Sequence, residues 1–173
     1  MGIGFKETSD VEISNNQILY CATGLYIDVS PFDPDKTNRI HDNVIAFTNI
    51  AIDFLNDWTG NVFERNSFKG NQTQISVAGG KTANRNVWKG NYWDDYEGFD
   101  LNHDGIGDKP YELYGYADRI WMDVPVARFF QGTPVMAVLD FLERLAPFST
   151  PDMLVRDENP LMSARVEISD SKL

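Results

Sequence analysis

Residues 1–93 repeat one short arrangement of apolar and polar positions, apolar-x-x-Asn-x-apolar. It occurs as Ile13, Asn16, Ile18; Ile40, Asn43, Ile45; Phe63, Asn66, Phe68; and Trp88, Asn91, Trp93, at intervals of 27, 23 and 25 residues. A second apolar pair precedes each unit: Ile3/Phe5, Leu25/Ile27, Ile52/Phe54 and Ile75/Val77. Within both pairs apolar and polar residues alternate, which is the period of a strand whose two faces differ. Strands this short, recurring at such spacing, stack as coils of a solenoid. A helical repeat would need a 3.6-residue period over ten or more positions, and these residues lack one. The chain is therefore predicted to be all-β: a right-handed parallel β-helix of about four coils. Its expected core is Ile13, Ile18, Ile27, Ile40, Ile45, Phe54, Phe63, Phe68, Ile75, Val77 and Trp88.

The repeated asparagines have a structural reason. An Asn at a coil corner tolerates left-handed backbone angles. Stacked over its counterparts, its amide can bond to the next Asn, so Asn16, Asn43, Asn66 and Asn91 are expected to form a ladder. Insertions fall between the strand motifs, the longest being Ser30 to Asp35. The acids Asp28, Asp33, Asp35, Asp53 and Asp57 lie near it. Carbohydrate-active β-helices place acids on one such face, but no stacked pair is evident, so no catalytic residue is assigned. Residue 1 begins almost inside a coil, where solenoids ordinarily carry an atypical capping element. The expectation is the C-terminal portion of a longer β-helix.

From Asp94 the repeat is lost. Six carboxylates follow between Asp94 and Asp108 without an intervening Lys or Arg. Asp100, Asn102, Asp104, Gly105 and Asp108 spell D-x-N-x-D-G-x-G-D, the front of a calcium loop. The expected calcium ligands are the side chains of Asp100, Asn102, Asp104 and Asp108 and the carbonyl of Ile106. The twelfth position is Tyr111, where an EF-hand has its bidentate Glu. Asp94, Asp95 or Glu97 could complete the shell, or Lys109 and backbone amides could hold the loop without metal. The acidic loop is expected to fold over the last coil as a cap, within a capping segment at residues 94–130.

Residues 131–173 are expected to hold an amphipathic helix and an extended arm. The helix runs from Pro134 to Ala146, with Thr133 as N-cap, Pro134 at its first position and Pro147 as its stop. Val135, Val138, Leu139, Leu142 and Leu145 follow the spacing of one helical face, which Met136 and Phe141 widen. An apolar face placed after a solenoid cap is a candidate partner-binding surface. Its charges are Asp140, Glu143 and Arg144, acidic on balance, which suits a protein groove better than an anionic lipid surface.

Composition narrows the partners. The net charge of −11 argues against nucleic acid. One cysteine, Cys21, leaves no internal disulfide. No apolar run is long enough to span a bilayer, and no secretory signal opens the chain.

The block GNYWDDYEGFDLNHDGIGDKPY, preceded by Asn-rich coils, resembles the NosD family. The later stretches DRIWMDVPVARFF and PFSTPDMLVRDENPLM resemble the C-terminal end of that family, and they are more specific than the block alone. The resemblance implies a periplasmic, non-enzymatic β-helix that serves maturation of nitrous oxide reductase. It also implies work beside the membrane permease and ATPase of an ABC-type transporter, with the reductase or a copper chaperone as further partner and copper as cargo.

Copper takes imidazole or soft sulfur ligands. The chain offers His41, His103, Cys21, Met1, Met122, Met136, Met153 and Met162, in no M-x-x-M, H-x-M or C-x-x-C cluster. No copper site is therefore assigned. The alternative function is a carbohydrate-binding or carbohydrate-active β-helix, in which Asp28 and Asp53 would be the residues to change.

Overall fold

A computed structural model of the chain describes residues 1–56, 58–78, 82–115, 133–134, 138, 141–142 and 152–165. Val135, Leu139 and Leu145 of the candidate helical face lie outside them, as do Met136, Met122, Asp57 and the stretch 118–130.

The alternating pattern folds as expected, into a parallel β-helix of four coils. Each coil contributes one strand to each of three sheets. The first sheet stacks β1 (Ile3–Lys6), β4 (Thr23–Asp28), β7 (Ile50–Phe54) and β10 (Thr73–Val77). The second stacks β2 (Glu12–Ser14), β5 (Asn38–His41), β8 (Asn61–Glu64) and β11 (Val87–Lys89). The third stacks β3 (Gln17–Leu19), β6 (Val44–Ala46), β9 (Ser67–Lys69) and β12 (Tyr92–Trp93).

Register follows the repeat. Ile13, Ile40, Phe63 and Trp88 lie in one column, and Ile18, Ile45, Phe68 and Trp93 in another. Every residue of the expected core is buried. Toward the later coils the columns become aromatic: Phe63 stacks on Trp88 at 4.2 Å and Phe68 on Trp93 at 4.3 Å between ring centres. Burying each such side chain contributes roughly 1.5–3 kcal/mol before the entropy of ordering the coil is set against it.

The Asn ladder is present, with one correction. The left-handed residue at the corner is the one before each ladder Asn: Asn15, Asp42, Arg65 and Gly90, with φ of 57°, 54°, 53° and 64°. The ladder asparagines themselves do not have positive φ. Their side chains turn inward and do the bonding. In each coil the backbone N–H and the Nδ2 of the Asn both donate to the Oδ1 of the Asn one coil later. These bonds run from Asn16 to Asn43, Asn43 to Asn66 and Asn66 to Asn91, at 3.0–3.1 Å. A second ladder, Asn38 to Asn61 to Asn86, runs parallel to it. Its signal was in the sequence: Asn stands two residues before the first apolar position of coils two to four.

Among the described residues two further strands lie beyond the coils. β13 (Tyr111–Gly115) pairs antiparallel with β14 (Asp152–Asp157). Among the described residues no helix is long and apolar enough to cross a membrane.

Candidate functional site at the closed end of the solenoid

A parallel β-helix ends on a layer of unpaired backbone groups and an exposed core cross-section. Here two side chains from outside the repeat close that end. Tyr111 lays its ring on Trp93 at 4.4 Å and 9° between planes, extending the Phe68–Trp93 column by one more layer. The twelfth position of the calcium-like loop is therefore spent on the core. That is the physical reason no Glu stands there.

Asp157 closes the Asn ladder. The Asn91 backbone N–H and Nδ2 both donate to its Oδ2 at 2.9 Å, as each earlier Asn donates to the next. Trp93 Nε1 donates to the same oxygen at 3.4 Å, while the amides of Gly90 and Asn159 donate to Oδ1 at 3.0 and 3.1 Å. Every partner of this fully buried carboxylate is a donor. The ladder sends donors toward later coils, so its last acceptor needs no donor of its own, and a carboxylate meets that requirement. Leu161 then occupies the place of a fifth coil: its amide donates to the Asn91 carbonyl at 2.9 Å, and it bridges Tyr92 in parallel. Reading the sequence did not find Asp157. Its signal is faint: Leu154 precedes it by three residues, as Phe63 precedes Asn66.

The structure brings the calcium candidates Asp100, Asn102, Asp104 and Asp108 into one loop, and the loop's own amides partner their oxygens. Asp100 accepts from the amides of Asp104 (3.2 Å) and Gly105 (2.8 Å). Asn102 Oδ1 accepts from the Asp104 amide, and Asp104 Oδ1 from the Ile106 amide at 2.8 Å. Asp108 Oδ2 accepts from the Leu101 amide at 2.7 Å. Gly105 makes the turn with φ of 83°. Lys109 sits over the Phe99 ring at 5.0 Å.

The loop is docked onto the closing segment. The Gly107 amide donates to the Pro160 carbonyl and the Met162 amide to the Gly105 carbonyl. The Tyr96 ring fills the space between Gly98 and Gly107, where a side-chain carbon would come within 1.9 and 2.1 Å of its hydroxyl oxygen.

Beside Tyr111 opens a cleft of about 550 Å³ lined by Asp95, Glu97, Lys109, Glu112 and Tyr114 among others. Partial loss of water around its charged form pushes the Asp95 carboxyl above its usual range, and the hydrogen bond from the Tyr111 hydroxyl at 3.1 Å opposes this. Solvent still reaches Asp95 and moderates the effect.

The remaining candidates are scattered. Asp28 is buried and ion-paired with Lys6 at 2.9 Å, and Asp53 is in register with Tyr26, so the two acids do not share one register position. His41 bonds Glu12 through Nε2 and Asp42 through Nδ1 on the solenoid flank, whereas His103 lies in the acidic loop. Cys21 donates its thiol to the Leu19 carbonyl. Among the described residues no three His, Cys, Asp or Glu side chains converge to hold a metal ion. Val138, Phe141 and Leu142 are helical, and 55, 60 and 48% of their surfaces face solvent.

The family model described as "Periplasmic copper-binding protein (NosD)" matches residues 1–98, which are the four coils and the start of the acidic segment. The chain belongs to the NosD family. A NosD relative from Stutzerimonas stutzeri, described as a probable ABC transporter binding protein, is 33% identical over 132 residues. That alignment covers 75% of this chain and 30% of the relative. A second, from Pseudomonas aeruginosa and with the same description, is 32% identical over 163 residues, 93% of this chain and 36% of the relative. The chain thus spans about a third of the length of the NosD relatives it matches.

Proposed function

We propose that the chain serves as a non-enzymatic, periplasmic binding platform that docks to the membrane subunit of an ABC-type transporter during maturation of the copper centres of nitrous oxide reductase. Membership of a family described as periplasmic and copper-binding supports this, as do relatives described as transporter binding proteins. The observation that carries the docking is the exposure of Val138, Phe141 and Leu142, spaced i, i+3, i+4 on a helix, beyond a solenoid whose own core is closed. Each is already about half covered, so burying the rest would gain roughly half of the 1.5–3 kcal/mol of a full burial, and a partner groove is a better place for them than water. Copper enters as cargo, and its ligands are not assigned to this chain. Co-purification with the permease tests the reading. Val138→Asp with Leu142→Asp should abolish it while leaving the coils folded by circular dichroism. Retention of the permease by that variant rejects the docking surface.

Calcium at Asp100, Asn102, Asp104, Ile106 and Asp108 is part of the same proposal, as a brace for the acidic loop. Residue order and the turn at Gly105 support it. A ligand that binds only the folded state raises Tm, by about 2.7 kcal/mol of stability at a hundredfold excess over Kd. Millimolar calcium should therefore raise Tm over chelator, and Asp104→Ala should remove the difference. Equal Tm in the two solutions would leave the loop held by its amides alone.

A further inference from the structure

On the flank of the closed end lies a second hollow, of about 360 Å³, at the seam between the last two coils and the closing segment. Glu64, Arg65, Lys89 and Gly90 from the coils, Ile106 from the acidic loop, and Asn159, Leu161 and Arg165 from the closing segment line it. Its charge is unlike that of the rest of the molecule. The chain carries 26 acids against 15 bases, so a surface cation has acids to spare as partners. Among the described residues three cations line this hollow: Arg65, Lys89 and Arg165. Arg65 is fixed by Asp42, which accepts from its Nε at 2.9 Å and its Nη2 at 2.8 Å, and it also reaches Glu64 at 3.4 Å. Lys89 and Arg165 make no ion pair among the described residues. Glu64 is the only acid lining the hollow among those residues, and Arg65 already engages it. Ile106 and the buried Leu161 add an apolar wall.

Two unpaired cations beside an anchored third, against an apolar wall, form a receptor for negative charge joined to a short hydrocarbon. We infer that this seam hollow binds a small organic dianion, its carboxylates held by Lys89 and Arg165 and its carbon chain lying on Ile106 and Leu161. Arg65, neutralised by Asp42 and Glu64, adds little net charge and fixes that part of the wall. Four separate stretches of chain meet at the hollow, so it exists only once the closing segment is seated on the last coil. The inference does not depend on transporter docking, because none of these residues belongs to the exposed helical face.

The test is a titration of the full chain, followed by the methyl resonances of Ile106 and Leu161. Glutarate is the probe and inorganic phosphate the control. Glutarate should give saturable shifts that weaken as salt is raised. Lys89→Ala with Arg165→Ala should weaken binding about tenfold or more, with Tm and the core resonances unchanged. Arg165→Ala alone should weaken it in part, a variant that leaves every strand intact. Absence of saturable shifts, phosphate binding as tightly as glutarate, or unaltered affinity in the double variant would each overturn the assignment.

Discussion

The four coils and the segment that closes them solve one problem by opposite means. In the coils, each layer satisfies its neighbour by repeating it: Asn over Asn, aromatic over aliphatic, strand over strand in register. At the closed end there is no further layer. Its duties are divided among residues distant in sequence: Tyr111 for the stack, Asp157 for the ladder and Leu161 for the backbone edge. Repetition tolerates a substitution in one layer because the adjacent layers remain. The closure has no redundancy, so single changes there should act locally and sharply.

The joint between the two regions should show the largest effect. Trp93 lies between Phe68 and Tyr111 and contacts both at stacking distance. Trp93→Ala should cost about 3–5 kcal/mol, read as a fall in chemical or thermal midpoint. It should loosen coil and closure together. A cost confined to the residues after 110 would mean that the two regions are less coupled than the stack implies.

Asp157 separates the regions more cleanly. Five donors face its carboxylate, so Asp157→Ala leaves buried N–H groups that only water entering the vacated space can partner, at a net cost of about 1–3 kcal/mol. Asp157→Asn should still destabilise, because its new NH₂ must face a donor. Hydrogen exchange is the discriminating measurement: the amides of Gly90 and Asn91 should open in both variants, while those of Asn16 and Asn43 keep their protection. Asn91→Asp should be worse than either, since it sets two carboxylates against each other at the end of the ladder.

A smaller effect belongs to the flank of the coils. Asp42 is pulled down to about 2, chiefly by its hydrogen bonds from Arg65, and His41 is pushed up by its bonds to Asp42 and Glu12. The signs are opposite. The Asp42 contribution is complete above the ordinary carboxylate range and is lost as pH falls toward about 2. The His41 contribution is complete below the ordinary imidazole range, about 6.5, and is lost as pH rises through its elevated folded value. Both act together between about pH 5 and 6.5. Asp42→Asn should flatten the acid limb of the Tm profile and reduce the loss near neutrality. An unchanged profile would show that solvent screens the cluster.

The smallest change concerns the acidic loop alone. Gly107→Ala drives a methyl group into the Tyr96 ring, so that the ring must leave its place. A cost of about 1–3 kcal/mol is expected in the loop's local opening, with little change in the global midpoint.

Much of the coil region was legible in the chain itself. A period-two alternation repeated at near-constant spacing leaves one geometry in which the apolar positions of the Asn motif are buried in columns, so the columns, core and first ladder could be read residue by residue. The family resemblance rested instead on the acidic block and the stretches after it, with the coils matching in pattern. The second ladder is equally periodic, but Asn38, Asn61 and Asn86 stand outside the apolar-x-x-Asn-x-apolar unit, two residues before it begins. The left-handed corner was placed one residue late, since Asn15, Asp42, Arg65 and Gly90 share a backbone shape without sharing a residue type.

The closed end was not legible in that way, because closure happens once and leaves no period. Asp157 lies 66 residues beyond Asn91, and it is chosen by the direction of the ladder's hydrogen bonds. Tyr111 looks in sequence like a defective calcium loop, yet in space it is the last layer of the core. The chain's order determined the repeating coils, because neighbours along the column are chemically alike. Only the tertiary structure decided which residues end them, because an end is defined by the donors and ring faces left over once every coil is stacked.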